Sequence, residues 1–159
     1  MKQLLIDLIA RITLITDFNH IAVWNNQLDD EEQPYSLPAC FIEIVNSADS
    51  IQLGGGAQLY EINVNLHILH ENYNNAYSDT SQDLLIYDLK QKVYESMQLF
   101  EPNNCVAFCK INEIQDDNHT NLVHYQMIFE TNLVDFTKEK YNKAFTINPT
   151  NLIINGTFN

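Results

Sequence analysis

Three consecutive glycines, Gly54–Gly56, are the residues of this sequence that most suggest a chemical role, because glycine-rich loops can bind phosphate groups. A nucleoside-triphosphate loop needs a lysine after the glycines, and both it and a dinucleotide-binding loop open a helix. Here no lysine follows, and residues 60–68 alternate between apolar and polar side chains as a strand does. The glycines therefore predict a flexible hairpin turn, whose tip could touch a neighbouring protein or line a pore.

The histidines and cysteines are poorly spaced for a metal site. His67 and His70 are three residues apart, which on a strand points them to opposite faces. Cys105 and Cys109 would share a face, but a Cys-x3-Cys pair without a second pair is a weak zinc signal. We expect the thiols to be buried and structural, and no metal to be bound. Two further histidines, in a turn and on a polar strand face, are predicted to be solvated rather than liganded: His119 and His124.

The sequence also lacks a recognisable set of catalytic residues. A nucleophilic cysteine needs a positioned histidine and an electropositive setting, whereas the three cysteines lie in apolar runs of an acidic chain. Two carboxylate pairs, Asp29–Glu32 and Asp116–Asp117, fall in segments expected to be solvated loops. The sequence therefore predicts a protein that is not an enzyme and that has no cofactor.

The composition limits the partners of the protein. The 159 residues suit a single domain, and a hydrophobic content of 45% is enough for a real core. The net charge is −13 with only 8 lysines and arginines, so no basic patch for nucleic acid can form. An odd number of cysteines, 3, indicates a reducing compartment rather than a disulfide framework. No signal peptide or membrane-spanning run is recognisable, so we expect a soluble protein made inside a cell.

The elements that must position these residues follow from the periodicity of the chain. Apolar residues at helical spacing predict helices, and strict alternation predicts strands. The predicted elements are a helix over 4–15, a short strand over 20–26, an acidic loop over 27–38, strands over 39–45 and 60–68, a loop over 70–82, a helix over 83–100, and strands over 105–114 and 121–136 joined by a turn at 115–119. This order predicts an α+β domain in which two helices pack on one face of an antiparallel sheet. We assign the domain to residues 1–137 and a C-terminal arm to 138–159.

This order of elements resembles that of a known family. An N-terminal helix is followed by "LPACFIEIV" (37–45), a turn, the long strand "YEINVNLHIL" (60–69), the helix "DLLIYDLKQKVYESM" (83–97) and a hairpin that ends in "VHYQMIFETNLVDF" (123–136). The layout is similar to the tail-completion, or tail-terminator, proteins of tailed bacteriophages over roughly residues 1–136. The asparagine-rich composition is also similar to that of phages of the Bacteroidetes, including crAss-like phages. The acidic loop and the arm depart from the family pattern.

The resemblance implies a structural virion protein, made in the host cytoplasm, that forms a homo-oligomeric ring of six or twelve copies at the neck, or head–tail junction. The ring would join the connector to the tail proteins around the DNA channel, with an acidic lumen that lets DNA pass without specific binding. Copies in a ring meet through two different surfaces. We expect the hairpin finger to contact the lumen or the tail through Leu53, Gly54, Gly55, Gly56 and Gln58. We expect the arm to clasp the next subunit through Phe145, Ile147, Leu152, Ile153 and Ile154.

Two other functions are compatible with the sequence. A small acidic intracellular protein could be an inhibitor that mimics nucleic acid and blocks a basic partner, although the acids cluster in loops 27–32 and 113–117 rather than along helices. The chain could also be a subunit of another contractile injection machine, with the same fold and ring but without a DNA channel.

Overall fold

The computed structural model describes residues 1–29, 35–71, 80–116 and 122–136. Within these ranges it contains two helices, six strands and one 3-10 turn. In chain order these are α1 (Lys2–Thr13), β1 (His20–Val23), the 3-10 turn (Gln27–Asp29), β2 (Ala39–Asn46), β3 (Ile51–Gly54), β4 (Ala57–Glu71), α2 (Thr80–Met97), β5 (Cys109–Asp116) and β6 (Leu122–Asp135). The predicted α+β class is confirmed. Neither of the described helices is both long and apolar enough to cross a membrane.

The six strands form one mixed sheet in the order β1-β2-β4-β6-β5, with β3 paired to the first residues of β4. The prediction of an antiparallel sheet was wrong for one pair, because β1 runs parallel to β2 while the other pairs are antiparallel. A parallel pair needs a crossover connection instead of a hairpin. Residues 24–38 make that connection, and the described parts of this segment pack against one face of the sheet.

Both helices pack on the other face of the sheet, which we call the helix-covered face. Alternate strand residues and one stripe of each helix bury their apolar side chains there in a single core. The helices contribute Leu4, Leu8, Ile12, Ile86, Leu89, Val93 and Met97, and the three central strands contribute Cys40, Ile42, Ile62, Val64, Leu66, Ile68, Tyr125, Met127, Phe129 and Leu133. The core of the protein therefore lies between the helices and β2, β4 and β6.

The single arginine of the chain joins α1 to the C-terminal turn of α2. Arg11 donates a hydrogen bond from Nε to the carbonyl oxygen of Ser96 at 2.8 Å, and its guanidinium lies 5.0 Å from the ring centre of Phe100. A cation is favourable at the C-terminus of a helix because the last carbonyl dipoles point towards it. The helix ends at Met97, before the predicted residue 100, because Leu99 adopts a φ of 61° and the chain turns there.

The glycine run forms a tight hairpin turn, in agreement with the sequence analysis. Gly54, Gly55 and Gly56 have φ values of 94°, 63° and 99°, a region that residues with a Cβ rarely adopt. The turn joins β3 to β4. Strand β3 was not predicted; it pairs with the part of β4 that extends beyond the end of β2. The result is a hairpin that prolongs one end of the sheet.

The prediction of buried thiols at Cys105 and Cys109 is confirmed for Cys105 only. Cys40 and Cys105 are buried, and burial raises the pKa of Cys40 to about 12 and that of Cys105 to about 11, so both thiols stay protonated. Cys109 is exposed, which corrects the prediction. The reason is that β5 begins at Cys109 on the outer edge of the sheet, and its partner Glu130 lies on the face away from the helices.

Several predictions concern residues outside the described ranges. They include the arm at 138–159 with its proposed anchors Phe145, Ile147, Leu152, Ile153 and Ile154, and the loop or turn residues Glu32, Asp117 and His119. The division of the chain into a domain and an arm therefore stays a prediction.

Candidate functional site

The glycine hairpin exposes apolar side chains at one end of the sheet. Ile51 and Leu53 of β3 are 52% and 54% exposed, and Phe136, directly after β6, is 46% exposed. They lie at the same end because Asp135 of β6 pairs with Gln58 at the start of β4. We name Ile51, Leu53 and Phe136 the hairpin end. Large apolar side chains that a fold leaves this exposed commonly take part in contacts between proteins.

The residues predicted as a contact finger come together in this hairpin. Leu53 precedes the turn of Gly54–Gly56, and Gln58 follows it in β4, where its side chain accepts a 2.6 Å hydrogen bond from the hydroxyl of Tyr60. A Cβ added to Gly54 would meet no atom within 4 Å, so the space around that residue is open. The structure thus brings the five residues together at an accessible tip, and what the tip touches stays a prediction.

A second candidate surface is a groove of about 400 Å³ between α2 and the edge strand β5. Two exposed tyrosines, Tyr87 and Tyr94, and two lysines, Lys90 and Lys110, form its walls. In the part of the chain that the structure describes, β5 pairs only with β6, and its residue Ile111 is 50% exposed. An edge strand beside a groove offers unpaired backbone groups and side-chain pockets to another chain.

The groove also contains a compact cluster of charges. Glu113 forms ion pairs with Lys90 and Lys110. Burial acts to raise the pKa of Glu113, but the hydrogen bonds from the two lysines outweigh it and hold that pKa below its usual range. The ammonium of Lys90 lies 3.9 Å from the ring centre of Tyr125 and 5.1 Å from that of Tyr87. Two lysines and one carboxylate leave an excess of positive charge here, on a chain that is acidic as a whole.

A continuous chain of polar side chains crosses the sheet on the face opposite the helices. It consists of Glu43 on β2, His67 on β4, His124 on β6 and Asp116 on β5, and we name these four residues the polar chain. Glu43 Oε2 lies 3.4 Å from His67 Nε2. The inner ring nitrogens, His67 Nδ1 and His124 Nε2, are 3.1 Å apart. His124 Nδ1 lies 3.4 Å from Asp116 Oδ2.

The two histidines are buried because the segment between β1 and β2 covers them. Trp24 stacks on His67 with ring centres 3.9 Å apart and planes 2° from parallel. Trp24 and Tyr35 both pack edge-on against Phe41, at 6.0 and 5.3 Å. His67 and His124 are consequently only 5% and 7% exposed. The prediction that His124 is solvated was therefore wrong, and His67 on the polar side of β4 is buried as well.

The cover extends over only part of this face, which we call the half-covered face. Beyond the cover, strand residues on the same face reach solvent: Val45, Glu61 and Glu130. Between the covered and the solvent-exposed parts of this face, Asn65 donates a 2.6 Å hydrogen bond from Nδ2 to Glu43 Oε2. This is the carboxylate oxygen that also faces His67. The carboxylate of Glu43 is thus held in place by an amide on one side and an imidazole on the other.

Burial determines the charge of His67. It is the main cause that lowers the pKa of His67 to about 4; the hydrogen bond that Glu43 accepts from His67 acts in the opposite direction, and the nearby His124 lowers the pKa further. His67 is therefore neutral near pH 7. Its two nitrogens then comprise one donor and one acceptor.

The arrangement is suited to holding protons rather than a metal ion. Within the described ranges, no group of three or more His, Cys, Asp or Glu residues could hold a metal. Each carboxylate of the polar chain contacts the outer nitrogen of one imidazole, and the inner nitrogens of the two imidazoles face each other. Such a sequence of donors and acceptors can share protons between its members.

The polar chain was not predicted from the sequence. The alternation of residues 60–68 puts His67 on the polar side of its strand, as was predicted for His124, and both histidines do lie on the face away from the helices. Nothing in the sequence showed that β4 and β6 pair so that His67 lies opposite Gln126, one diagonal step from His124. Polar residues at matching positions of three predicted strands were the available signal, and it lacked the strand register.

Comparison with models of known protein families gives no match. Comparison with curated proteins gives no significant match either.

Proposed function

We propose that this protein is a structural, non-catalytic virion protein that forms a ring at the head–tail junction of a tailed phage and joins the connector to the tail around the DNA channel. The observation that carries the proposal is the presence of two different exposed surfaces, the hairpin end and the groove with its edge strand β5. A ring closed by rotation uses a heterologous interface, in which each subunit offers two unlike surfaces. The resemblance in element order to tail-terminator proteins supports the same role.

The positions of the two surfaces support a head-to-tail contact. The β3 hairpin adds to β4 on the side away from β6, whereas β5 adds to β6 at the opposite edge of the sheet. Along β6, Asp135 at the hairpin end is separated from Met127 in the groove by roughly 25 Å, at the rise of a strand. One subunit can therefore engage a different neighbour through each surface.

The charge of the chain suits a channel through which DNA slides. With a net charge of −13, the protein repels phosphate groups and would not bind DNA in passing. In this proposal Leu53, Gly54, Gly55, Gly56 and Gln58 contact the lumen or the tail, and the segment at 138–159 clasps the next subunit. The partners are other copies of the chain, the connector and the tail tube.

The first test is the mass of the purified full chain by light scattering over a concentration series, with negative-stain images of the largest species. We expect closed rings with six or twelve times the subunit mass of 18.4 kDa. A protein that stays monomeric at all concentrations, and also when purified connector or tail tubes are added, would contradict the proposal. Salt-sensitive competition with DNA for a basic nuclease would then favour the nucleic-acid mimic.

A second test asks whether the hairpin end takes part in the ring. The double substitution Ile51→Asp and Leu53→Asp should abolish rings without unfolding the subunit, because both side chains are more than half exposed. Leu14→Asp is the matched control, since Leu14 is 71% exposed, directly follows α1 and belongs to neither surface. Rings that survive the double substitution would exclude the hairpin end as a ring contact and leave the ring itself standing.

A further inference from the structure

A row of apolar side chains crosses the half-covered face at the hairpin end. It crosses three strands, because Ile51 of β3 pairs with Leu59 of β4, and Leu59 pairs with Val134 of β6. Ile51 is 52% exposed, and Leu59 and Val134 are half-buried. Phe136 follows Val134 by two residues and is 46% exposed. We name these four residues the apolar row.

Two glutamates lie beside the apolar row on the same side of the sheet. Glu61 of β4 and Glu130 of β6 are two and four residues from the members of the row on their strands, and alternation keeps them on its side. Both are exposed. The strand register places two further exposed side chains, Val45 of β2 and Cys109 of β5, level with Glu130. The apolar row and these four residues form what we call the open area.

The chain that follows the described residues starts at this open area. Residues 137–159 continue directly from Phe136 and include the five proposed anchors of the arm. They contain three of the eight lysines and arginines of the chain and a single acid: Lys138, Lys140, Lys143 and Glu139. The segment is thus cationic and rich in large apolar residues, whereas the open area is acidic and exposes apolar side chains. The two are complementary in charge and in apolar character.

We propose that the arm of one subunit lies across the open area of the next subunit, with its anchors on the apolar row and its lysines beside Glu61 and Glu130. The proposal rests on the ring of the proposed function, which supplies the second copy, and it names the surface that receives the arm. Exposed apolar side chains with charged residues around them are typical of surfaces at which proteins meet.

The spacing of the arm favours the next subunit over its own. Residues 137–144 are mostly polar, and the first anchor is Phe145. Eight residues can span about 26 Å, whereas the open area extends only about 20 Å along β6, from Phe136 back to Glu130. An extended return along the same subunit would therefore place the polar residues over the apolar row and carry the anchors past it. A neighbouring subunit can receive the anchors on its own apolar row.

Cys109 provides a probe of this contact. It is exposed within the open area, whereas Cys40 and Cys105 are buried and their pKa values are raised to about 12 and about 11, which makes Cys109 the reactive thiol of the chain. Asn151→Cys introduces a second accessible thiol between the anchors of the arm.

The test is disulfide cross-linking of the assembled full chain with copper–phenanthroline as oxidant. We expect residue 151 to link to Cys109 of the next subunit, which gives a ladder of linked chains up to the ring size on a non-reducing denaturing gel. The control combines Asn151→Cys with Cys109→Ser and should give no ladder. Thr146→Cys and Asn155→Cys repeat the test at two other positions of the arm.

The possible outcomes separate this inference from the ring itself, because light scattering on the same samples reports assembly. Rings in which none of the three arm positions links to Cys109 would overturn the inference and leave the proposed function standing. A link within one chain, seen as a monomer of altered mobility without a ladder, would show that the arm lies on its own subunit and would also overturn it. Absence of rings, even with connector or tail tubes present, would contradict the proposed function and the inference together.

The charge complementarity has a test of its own. The double substitution Glu61→Gln and Glu130→Gln should slow the cross-linking at low salt by roughly twofold to tenfold, because it removes two exposed charge contacts with the lysines. It should also reduce the slowing that added salt causes in the parent protein. The matched control is Asp88→Asn with Glu95→Gln, two exposed acids of α2, which packs on the helix-covered face. Equal rates in the two double variants would contradict the placement of the lysines beside the glutamates.

Discussion

The two faces of the sheet are built on different physical principles. On the helix-covered face, apolar side chains from every central strand meet two helices, and the core residues named above are buried without any need for polar partners. On the half-covered face, a short crossover segment covers a small apolar cluster of Ala39, Phe41 and Leu69, next to two buried histidines and two carboxylates. The first face gains stability mainly from the removal of apolar surface from water. The second depends in addition on satisfied hydrogen bonds.

The two faces differ in how strongly their stability depends on solution conditions. Apolar burial changes little with pH, whereas burial of His67 lowers its pKa to about 4, so the stability of this region falls when acid protonates that ring. The stability of the helix-covered face therefore changes little with pH. The half-covered face is the part whose stability solution conditions can change, and it includes β1, which forms one edge of the sheet.

The largest expected effect comes from neighbouring residues of β6 that point to opposite faces. Phe129→Ala should destabilise the protein by about 3–5 kcal/mol, since Phe129 is fully buried among the helices and strands and leaves a cavity. Ile128→Ala is the control on the half-covered face, where the side chain is half-buried and about 1 kcal/mol should be lost. Urea unfolding measures both. Equal losses would mean that the two faces do not differ in the way described.

An intermediate effect is expected for the cover. Trp24→Ala removes the ring that stacks on His67 and packs against Phe41, and should cost about 2 kcal/mol because the residue is only half-buried. Trp24→Phe retains an aromatic ring over His67 and should lose less than half of that. Urea unfolding at pH 6.5 followed by circular dichroism provides the measurement. An alanine variant as stable as the wild type would mean that the cover contributes nothing to the half-covered face.

The smallest effect is expected at the hairpin. This turn lies outside the core under the helices and outside the part of the sheet that the segment between β1 and β2 covers. Gly55 has a φ of 63°, so Gly55→Ala should cost about 1 kcal/mol through backbone strain. Gly55→Asn should cost less, because asparagine tolerates the left-handed region better than other residues with a Cβ. Thermal unfolding distinguishes the two variants. Identical melting temperatures for alanine, asparagine and glycine would show that the turn is not held in this conformation in solution.

Most of the helix-covered face could be predicted from the sequence because its signals are local. The stripe of Leu4, Leu8 and Ile12 and the alternation from Ile62 to Ile68 each lie within one element, and burial follows the pattern. The parallel pairing of β1 with β2 could not be predicted in this way, since residues 24–38 could equally have formed a surface loop. The hairpin turn was predictable because three adjacent glycines directly before a strand favour a turn.

The candidate site was only partly predictable, because local patterns do not show which distant residues come together. The finger residues from Leu53 to Gln58 are contiguous in the sequence, and the fold keeps them together. The groove and the polar chain each join residues from three or more elements, such as Glu43 and Asp116, which are far apart in the chain. Their proximity depends on strand order and register, which the periodicity of a single strand does not contain.

Residue types and short-range spacing specify most of the elements, the turn at the glycines, the acidic charge and the apolar stripes, because each of these depends on a short segment of the chain. Three other properties depend on how the segments pack: His67 and His124 are buried side by side, β1 joins the sheet in parallel, and Cys109 is exposed. Burial and the pairing of polar atoms arise only where separate segments of the chain come into contact. Neither segment alone therefore determines them.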